Sequence, residues 1–217
     1  MKVTKLLSQK KDPSRVNIYI DGEFFCGLSL DSIAKFNIYV DRDIEGEELD
    51  EILFEELKNR FLTRAFSYIS RSIRSEFQLR RYLKDLSIKK KGVWYSDVDK
   101  DSIENLVNEV VEKLKEYDYL DDERFAEEFI LSRIKNKPRG KNILLSELMS
   151  KGINKEIALE KLEKLVEDEY DILRRVYVKK FREQKIGMRD NKKIDFLRRK
   201  GFNWDLIEKF INNESEE

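Results

Sequence analysis

Apolar residues follow two periods along this 217-residue chain, and the period changes once. Between Val16 and Leu30 it is two: Val16, Ile18 and Ile20 run into Asp21-Gly22, and Phe24, Cys26, Leu28 and Leu30 alternate on the return. That pattern predicts two strands and a tight turn, with the apolar sets on one inner face. A two-stranded hairpin is marginal alone, so a third strand at Val3–Leu6 or a short helix from Asp31 is expected to cover it. An acidic stretch from Asp41 to Glu56, nine acids against Arg42 alone, then leads into a helix. Acids suit that end because the helix dipole is positive there.

From about residue 60 onward the period is helical. Ile103, Leu106, Val107, Val110, Val111 and Leu114 form one continuous stripe, with Asp101 and Glu104 as its capping box. Ala126, Phe129, Ile130 and Ile134 form another, stopped at Pro138-Arg139-Gly140. Leu144, Leu145, Leu148 and Met149 predict a short second helix, and Ala158, Leu162, Leu165 and Val166 a third. The order returns in Ile172, Leu173, Val176, Tyr177 and Phe181, then Ile194 and Leu197, then Leu206, Ile207, Phe210 and Ile211.

A phrase repeats with the pattern: Leu148-Met149-Ser150-Lys151-Gly152-Ile153-Asn154 and Leu197-Arg198-Arg199-Lys200-Gly201-Phe202-Asn203. Each Gly suits the left-handed position past a helix end, the apolar residue after it can fold back, and the Asn can cap the next helix. A degraded third copy is expected at Leu83–Ile88, with Ser87 in the Gly slot. The fold class predicted is mainly α, tandem three-helix repeats in an elongated array behind a small N-terminal β-hairpin. The hairpin extension takes residues 1–45, and a linker helix with the first unit takes 46–117. The second unit takes 118–167 and the third 168–217, and the first carries an insertion over 89–99. Tyr82, Trp94, Tyr117, Tyr119, Tyr170 and Trp204 are expected to pack at unit boundaries.

Composition narrows the chemistry. Histidine is absent, which removes the commonest general base and metal ligand. The one cysteine, Cys26, cannot form an internal disulfide and is expected to be a small apolar residue on the hairpin's inner face. No catalytic constellation, phosphate-binding Gly-rich loop or cofactor site is legible. Asp118, Asp121, Asp122 and Glu123 lack calcium-loop spacing and are read as a helix start rather than a metal site. With no apolar stretch long enough for a signal peptide or a membrane span, a reduced cytoplasmic protein is expected.

Charge sums to zero, Lys+Arg 44 against Asp+Glu 44, but it is segregated. Arg71, Arg74, Arg80, Arg81, Lys84, Lys89, Lys90 and Lys91 face only Glu76 and Asp85 in the first basic block. From Asp97 to Glu128 thirteen acids face four bases. Arg133, Lys135, Lys137, Arg139 and Lys141 then surround the Pro-Gly break. From Arg174 to Lys200 twelve bases face Glu183, Asp190 and Asp195. The candidates in this block are Arg174, Arg175, Lys179, Lys180, Arg182, Lys192, Lys193, Arg198, Arg199 and Lys200. Such blocks are either solvated helix faces or a surface for nucleic acid or an acidic partner.

These residues resemble the RecX family of bacterial regulators of the RecA recombinase. The most specific match is Tyr119-Leu120-Asp121-Asp122, Phe125-Ala126, Phe129-Ile130, Arg133, Gly140, Leu148 and Lys151-Gly152-Ile153. Arg74-Ser75, Gln78-Leu79 and Leu83 add to it, with Gln78 where the family pattern has Glu. Arg15-Val16-Asn17-Ile18-Tyr19, Phe24 and Leu28 resemble the N-terminal extension of one branch. The resemblance implies a non-enzymatic protein lodged in the groove of the RecA filament on single-stranded DNA; a monomer is expected. It implies that binding hinders filament extension or stability, lowering ATPase, strand exchange and coprotease activity in recombination, repair and the SOS response. The residues alone also allow a stand-alone nucleic-acid-binding protein, or a helical adaptor for an acidic protein partner.

Overall fold

The computed structural model describes residues 1–10, 12–95, 98–182 and 184–216, without the side chains of residues 215 and 216. Asp97 and Glu183, counted in the charge blocks above, lie outside the described residues. The chain forms two compact units, one of residues 1–73 and 79–119, the other of residues 74–78 and 120–217.

The first unit opens with an antiparallel sheet in the order β1 (Val3–Ser8), β2 (Arg15–Ile20), β3 (Glu23–Ser29). The expected hairpin is thus present with its third strand. Asp21 and Gly22 both take positive φ, the two-residue turn that matches strand twist. The inner face did not form as expected. Ile18 pairs with Cys26 but Tyr19 pairs with Phe24, so Phe25 is an extra residue and the alternation slips. Phe24 therefore points outward with Tyr19, 5.9 Å between ring centroids, and Phe25 packs on the core instead. Leu30 also leaves the sheet, starting α1 (Leu30–Lys35), capped by Ser29. Val3, Ile18, Ile20, Cys26 and Leu28 meet Ile38, Ile44, Leu49 and Ile52 in a shared core.

Helix α2 (Gly46–Ile69) starts inside the acidic stretch and buries Leu49, Ile52, Leu57, Phe61 and Ala65. Helices α3 (Glu76–Lys90) and α4 (Lys100–Glu116) follow. All six residues of the α4 stripe are buried. Its cap is Asp99, whose carboxylate accepts the Ser102 N–H at 2.8 Å, so the expected Asp101–Glu104 box is displaced by two residues. The expected stop at Ser87 is also absent. Ser87 is buried in α3, its hydroxyl bonds the Lys84 carbonyl and its own carbonyl accepts the Tyr95 hydroxyl. The turn comes later, at Lys91-Gly92, where Gly92 has φ +77.

The second unit holds α5 (Asp122–Asn136), α6 (Lys141–Ser150), α7 (Lys155–Leu165), α8 (Glu169–Phe181), α9 (Asn191–Arg199) and α10 (Trp204–Glu216). The Lys-Gly ends behave as the repeat predicts. Gly152 (φ +84) donates to Met149 and Ile153 to Leu148, while Gly201 (φ +92) donates to Arg198 and Phe202 to Leu197. These are paired six-to-one and five-to-two bonds of one capping motif. Asn154 and Asn203 cap α7 and α10.

Both ends also receive another helix start. Ser75, fully buried, donates to the Lys151 carbonyl at 2.6 Å, and Phe77 lies against Gly152. Gly140 donates to the Lys200 carbonyl at 2.8 Å, and Ile143 lies against Gly201. Within the second unit the same joint is made twice, residues 75–77 on the end of α6 and residues 140–143 on the end of α9. Among the aromatics, Tyr82 stacks on Tyr68, Trp94 meets Phe61, Tyr119 meets Phe66 and Tyr170 meets Phe210. Tyr117 and Met149 did not pack as expected. Both sit at helix ends whose buried face is already filled, by Leu114 and Leu148, and lie open at the surface.

Candidate functional site

The three basic blocks meet different fates. In the first unit, α3 turns Arg80 and Lys84 toward α4. Arg80 donates to Asn108 at 2.6 Å and lies 3.7 Å from Glu112, and Lys84 donates to Glu104 at 2.8 Å. That bond holds the Glu104 carboxyl below its usual range. Part of the first basic block therefore faces part of the acidic block inside one unit. Arg71, Arg81, Lys89 and Lys91 remain exposed, Lys90 lies 5.5 Å from the Trp94 ring centroid, and Arg74 is half-buried.

Sequence reasoning missed a second feature of this unit. Glu56, buried, accepts from Arg15, from Arg60 Nε at 2.7 Å and from the Ser29 N–H at 3.2 Å. Both guanidinium groups also donate to the Gly27 carbonyl. Arg60 and Arg64 approach the Trp94 ring, at 5.1 and 6.0 Å from its centroid. The available signal was Glu56, Arg60 and Arg64 at helical spacing. Cys26 lies nearby, and burial followed by the Glu56 charge pushes its thiol up to about 12, so it is not a reactive thiolate.

In the second unit, Arg133 pairs with Glu147 at 2.7 Å, Arg139 reaches the same carboxylate at 3.5 Å, and Lys141 pairs with Glu163 at 2.9 Å. Arg175 pairs with Asp171 and Lys193 with Asp190. Arg198 lies 5.3 Å from the Trp204 ring centroid, while Arg174, Arg182, Lys192 and Arg199 are exposed. Sequence reasoning also missed Lys161, buried on the inner face of α7 between Glu123 (3.0 Å) and Glu127 (2.7 Å). Hydrogen bonds to Glu127 and then Glu123 raise its ammonium well above the usual value.

Five of the predicted bases converge. Lys137, Arg139, Lys179, Lys180 and Lys200 line one open cleft of about 600 Å3 with Asn136, Pro138, Val176 and Phe196. Among the described residues no carboxylate lines it. Phe196 forms part of the wall, its ring edge-on to Phe181 at 5.2 Å and 5.4 Å from the Lys200 Nζ. The arrangement suits an anion with an apolar or flat portion. Asp121 is spoken for as the α5 cap, accepting the Arg124 N–H at 2.9 Å. Among the described residues no group of acids is placed to hold a metal, and no helix is long and apolar enough to cross a membrane.

The chain is similar to known proteins along nearly its whole length. The family model described as the regulatory protein RecX N-terminal domain matches residues 1–45, and that of the RecX second three-helix domain matches residues 121–162. A regulatory protein RecX of Clostridium tetani is 32% identical over 97% of this chain and 93% of its own length. One from Clostridioides difficile is 29% identical over 97% and 94%. A crystal structure of a regulatory protein RecX superposes with a TM-score of 0.66, at 22% identity and 98% coverage of both chains. RecX from Lactobacillus salivarius gives 0.58, covering 75% of this chain and 99% of that one. With 32% identity to a regulatory protein RecX over nearly the full length of both chains, and family-model matches at both the sheet and the central helices, the chain belongs to the RecX family of regulatory proteins.

Proposed function

We propose that this protein binds the RecA filament on single-stranded DNA and hinders its extension or stability, lowering ATPase, strand exchange and coprotease activity. The carrying observation is similarity along nearly the whole chain to proteins named regulatory protein RecX. On this reading the protein is a cytoplasmic, non-enzymatic monomer that acts by occupancy. Its three-helix units, at 46–117, 118–167 and 168–217, each contribute a weak contact, and their covalent linkage supplies effective concentration. The unpaired bases are the groups that meet acidic filament surface or phosphate.

The test is the DNA-dependent ATPase of preformed RecA filaments titrated with this protein, with filament length followed by electron microscopy. Substoichiometric protein should lower the rate and shorten the filaments. An unchanged rate and length at saturating protein would reject the proposal.

A further inference from the structure

We propose that the cavity between the N-terminal half of α2 and the start of α4, floored by Leu53, Phe54, Leu57 and Val98 and flanked by Asp50 and Asp99, binds a linear alkylammonium ion. Its source is a free polyamine or the lysine side chain of a partner, which share an ammonium head on a methylene chain.

The cavity holds about 220 Å3 and lies wholly within the first unit. Asp50, Leu53, Phe54 and Leu57 recur at helical spacing on one face of α2. Val98, Asp99 and Ser102 come from the start of α4. Leu57 is buried while Leu53, Phe54 and Val98 are half-buried, so the floor is apolar yet reaches solvent. Among the described residues no lysine or arginine lines it. Other acids of α4 are answered, Glu109 by Lys58, Glu104 by Lys84 and Glu112 by Arg80. Asp50 is exposed and has no such partner among the described residues.

A simpler origin for the two acids is that each stands near a helix start. Asp99 caps α4, its carboxylate accepting the Ser102 N–H at 2.8 Å and the Ser102 hydroxyl at 2.6 Å. A carboxylate has about four acceptor sites, so capping leaves room for a further donor. Asp50 lies one turn into α2. The two helix N-termini together offer at most about one positive charge against these two carboxylates, and the cavity stays anionic. Nor does a helix start explain an apolar floor left open between the acids.

The lining selects among ligands. A hard divalent ion takes roughly six to eight oxygens, whereas four of the seven lining residues are apolar. An anion would face two negative groups. A neutral apolar molecule would strip water from both carboxylates and return no hydrogen bond. Drug-sized ligands fill pockets of about 300–1,000 Å3, more than this space provides. An alkylammonium matches both parts of the lining, its methylenes on the floor and its head donating to carboxylate.

The experiment is an NMR titration of the isotope-labelled full chain with primary ammonium ions from methylammonium to pentylammonium, at constant ionic strength. Amide shifts should be confined to residues lining the cavity. Affinity should rise by up to about fourfold per methylene while the chain remains on the floor. A flat series, or shifts spread over every acidic stretch, would overturn the proposal, because a diffuse negative field gives that result.

Asp50→Asn should weaken pentylammonium about twofold to fivefold, the worth of one solvent-exposed ion pair. Val98→Phe, which fills the floor, should flatten the series. Glu160→Gln, the same loss of one charge on an exposed α7 position, should bind as wild type. Binding unchanged in both Asp50→Asn and Val98→Phe would place the ion elsewhere and overturn the assignment. Amide dispersion establishes that each variant is folded, and the wild-type series stands whatever the variants do. Two further ligands separate the sources. Spermidine binding at least tenfold tighter than N-acetyl-lysine methylamide assigns the cavity to a free polyamine; parity or the reverse order assigns it to a partner's lysine.

Discussion

Among the described residues one helix-ending hydrogen-bond pattern occurs four times, and residue choice decides how visible it is. It closes α1 at Asn37, α4 at Asp118, α6 at Gly152 and α9 at Gly201, all with positive φ. The two glycines announce themselves in the sequence; Asn37 and Asp118 do not, because those residues are equally at home in any turn. Gly152 and Gly201 carry a second constraint. A Cβ on Gly152 would overlap Phe77, and one on Gly201 would overlap Ile143. Gly152→Val should therefore cost more than about 2 kcal/mol, combining left-handed strain with overpacking. Asp118→Gly should instead stabilise by up to about 1 kcal/mol, since strain is relieved with no neighbour lost. Urea melts of the two variants check both signs; equal stability of Gly152→Val and wild type would contradict the helix-end geometry.

At the scale of elements, periodicity marked the helices from α4 onward, while the partner of each helix face had to be found in the fold. Helix α3 buries Leu79, Leu83 and Leu86 and leaves Arg80 and Lys84 on another face, and the α4 stripe leaves Glu104, Asn108 and Glu112 free of its own core side; only packing brings those faces together. Glu56 makes the same point in the core. It reads in sequence as one more acid of an acidic run, yet it is the buried acceptor joining β2, β3 and α2 through Arg15, Ser29 and Arg60. Removing one partner of a buried ion pair leaves the other charge uncompensated, which costs about 3–5 kcal/mol. Glu56→Ala should fall in that range in denaturant melts, somewhat relieved by the partial exposure of the two arginines. A loss below about 1 kcal/mol would show that water replaces the carboxylate there.

For the whole molecule, the formal charge of zero hides a sorting of bases into those answered within the fold and those left facing solvent. Arg80 and Lys84 belong to the first set, and Lys179, Lys180 and Lys200 to the second. Exposed pairs contribute only about 0–1 kcal/mol each, so reversal of Arg80 and Lys84 to Glu should cost about 1–2 kcal/mol once like-charge repulsion is added. If the protein inhibits RecA ATPase as proposed, that reversal should weaken inhibition less than reversing Lys179 and Lys180 does. Inhibition titrations at two salt concentrations compare them, with melts as the control. A larger loss of inhibition from the α3 pair would return the first basic block to the binding surface.

What the sequence determined by itself is local: the Asp-Gly hairpin, the helical stripes, the Lys-Gly ends and the family motif. Each depends on dihedral preferences and side-chain periods that act within a window of a few residues. The β-bulge at Phe25, the continuation of α3 through Ser87, the burial of Glu56 and Lys161, and the gathering of Lys137, Arg139, Lys179, Lys180 and Lys200 were decided only by the tertiary structure. The reason is that a lysine on a helix surface is equally soluble whichever way that surface faces. Its neighbours across a cleft come from segments up to about sixty residues away, and only the packing of the apolar stripes fixes which ends meet.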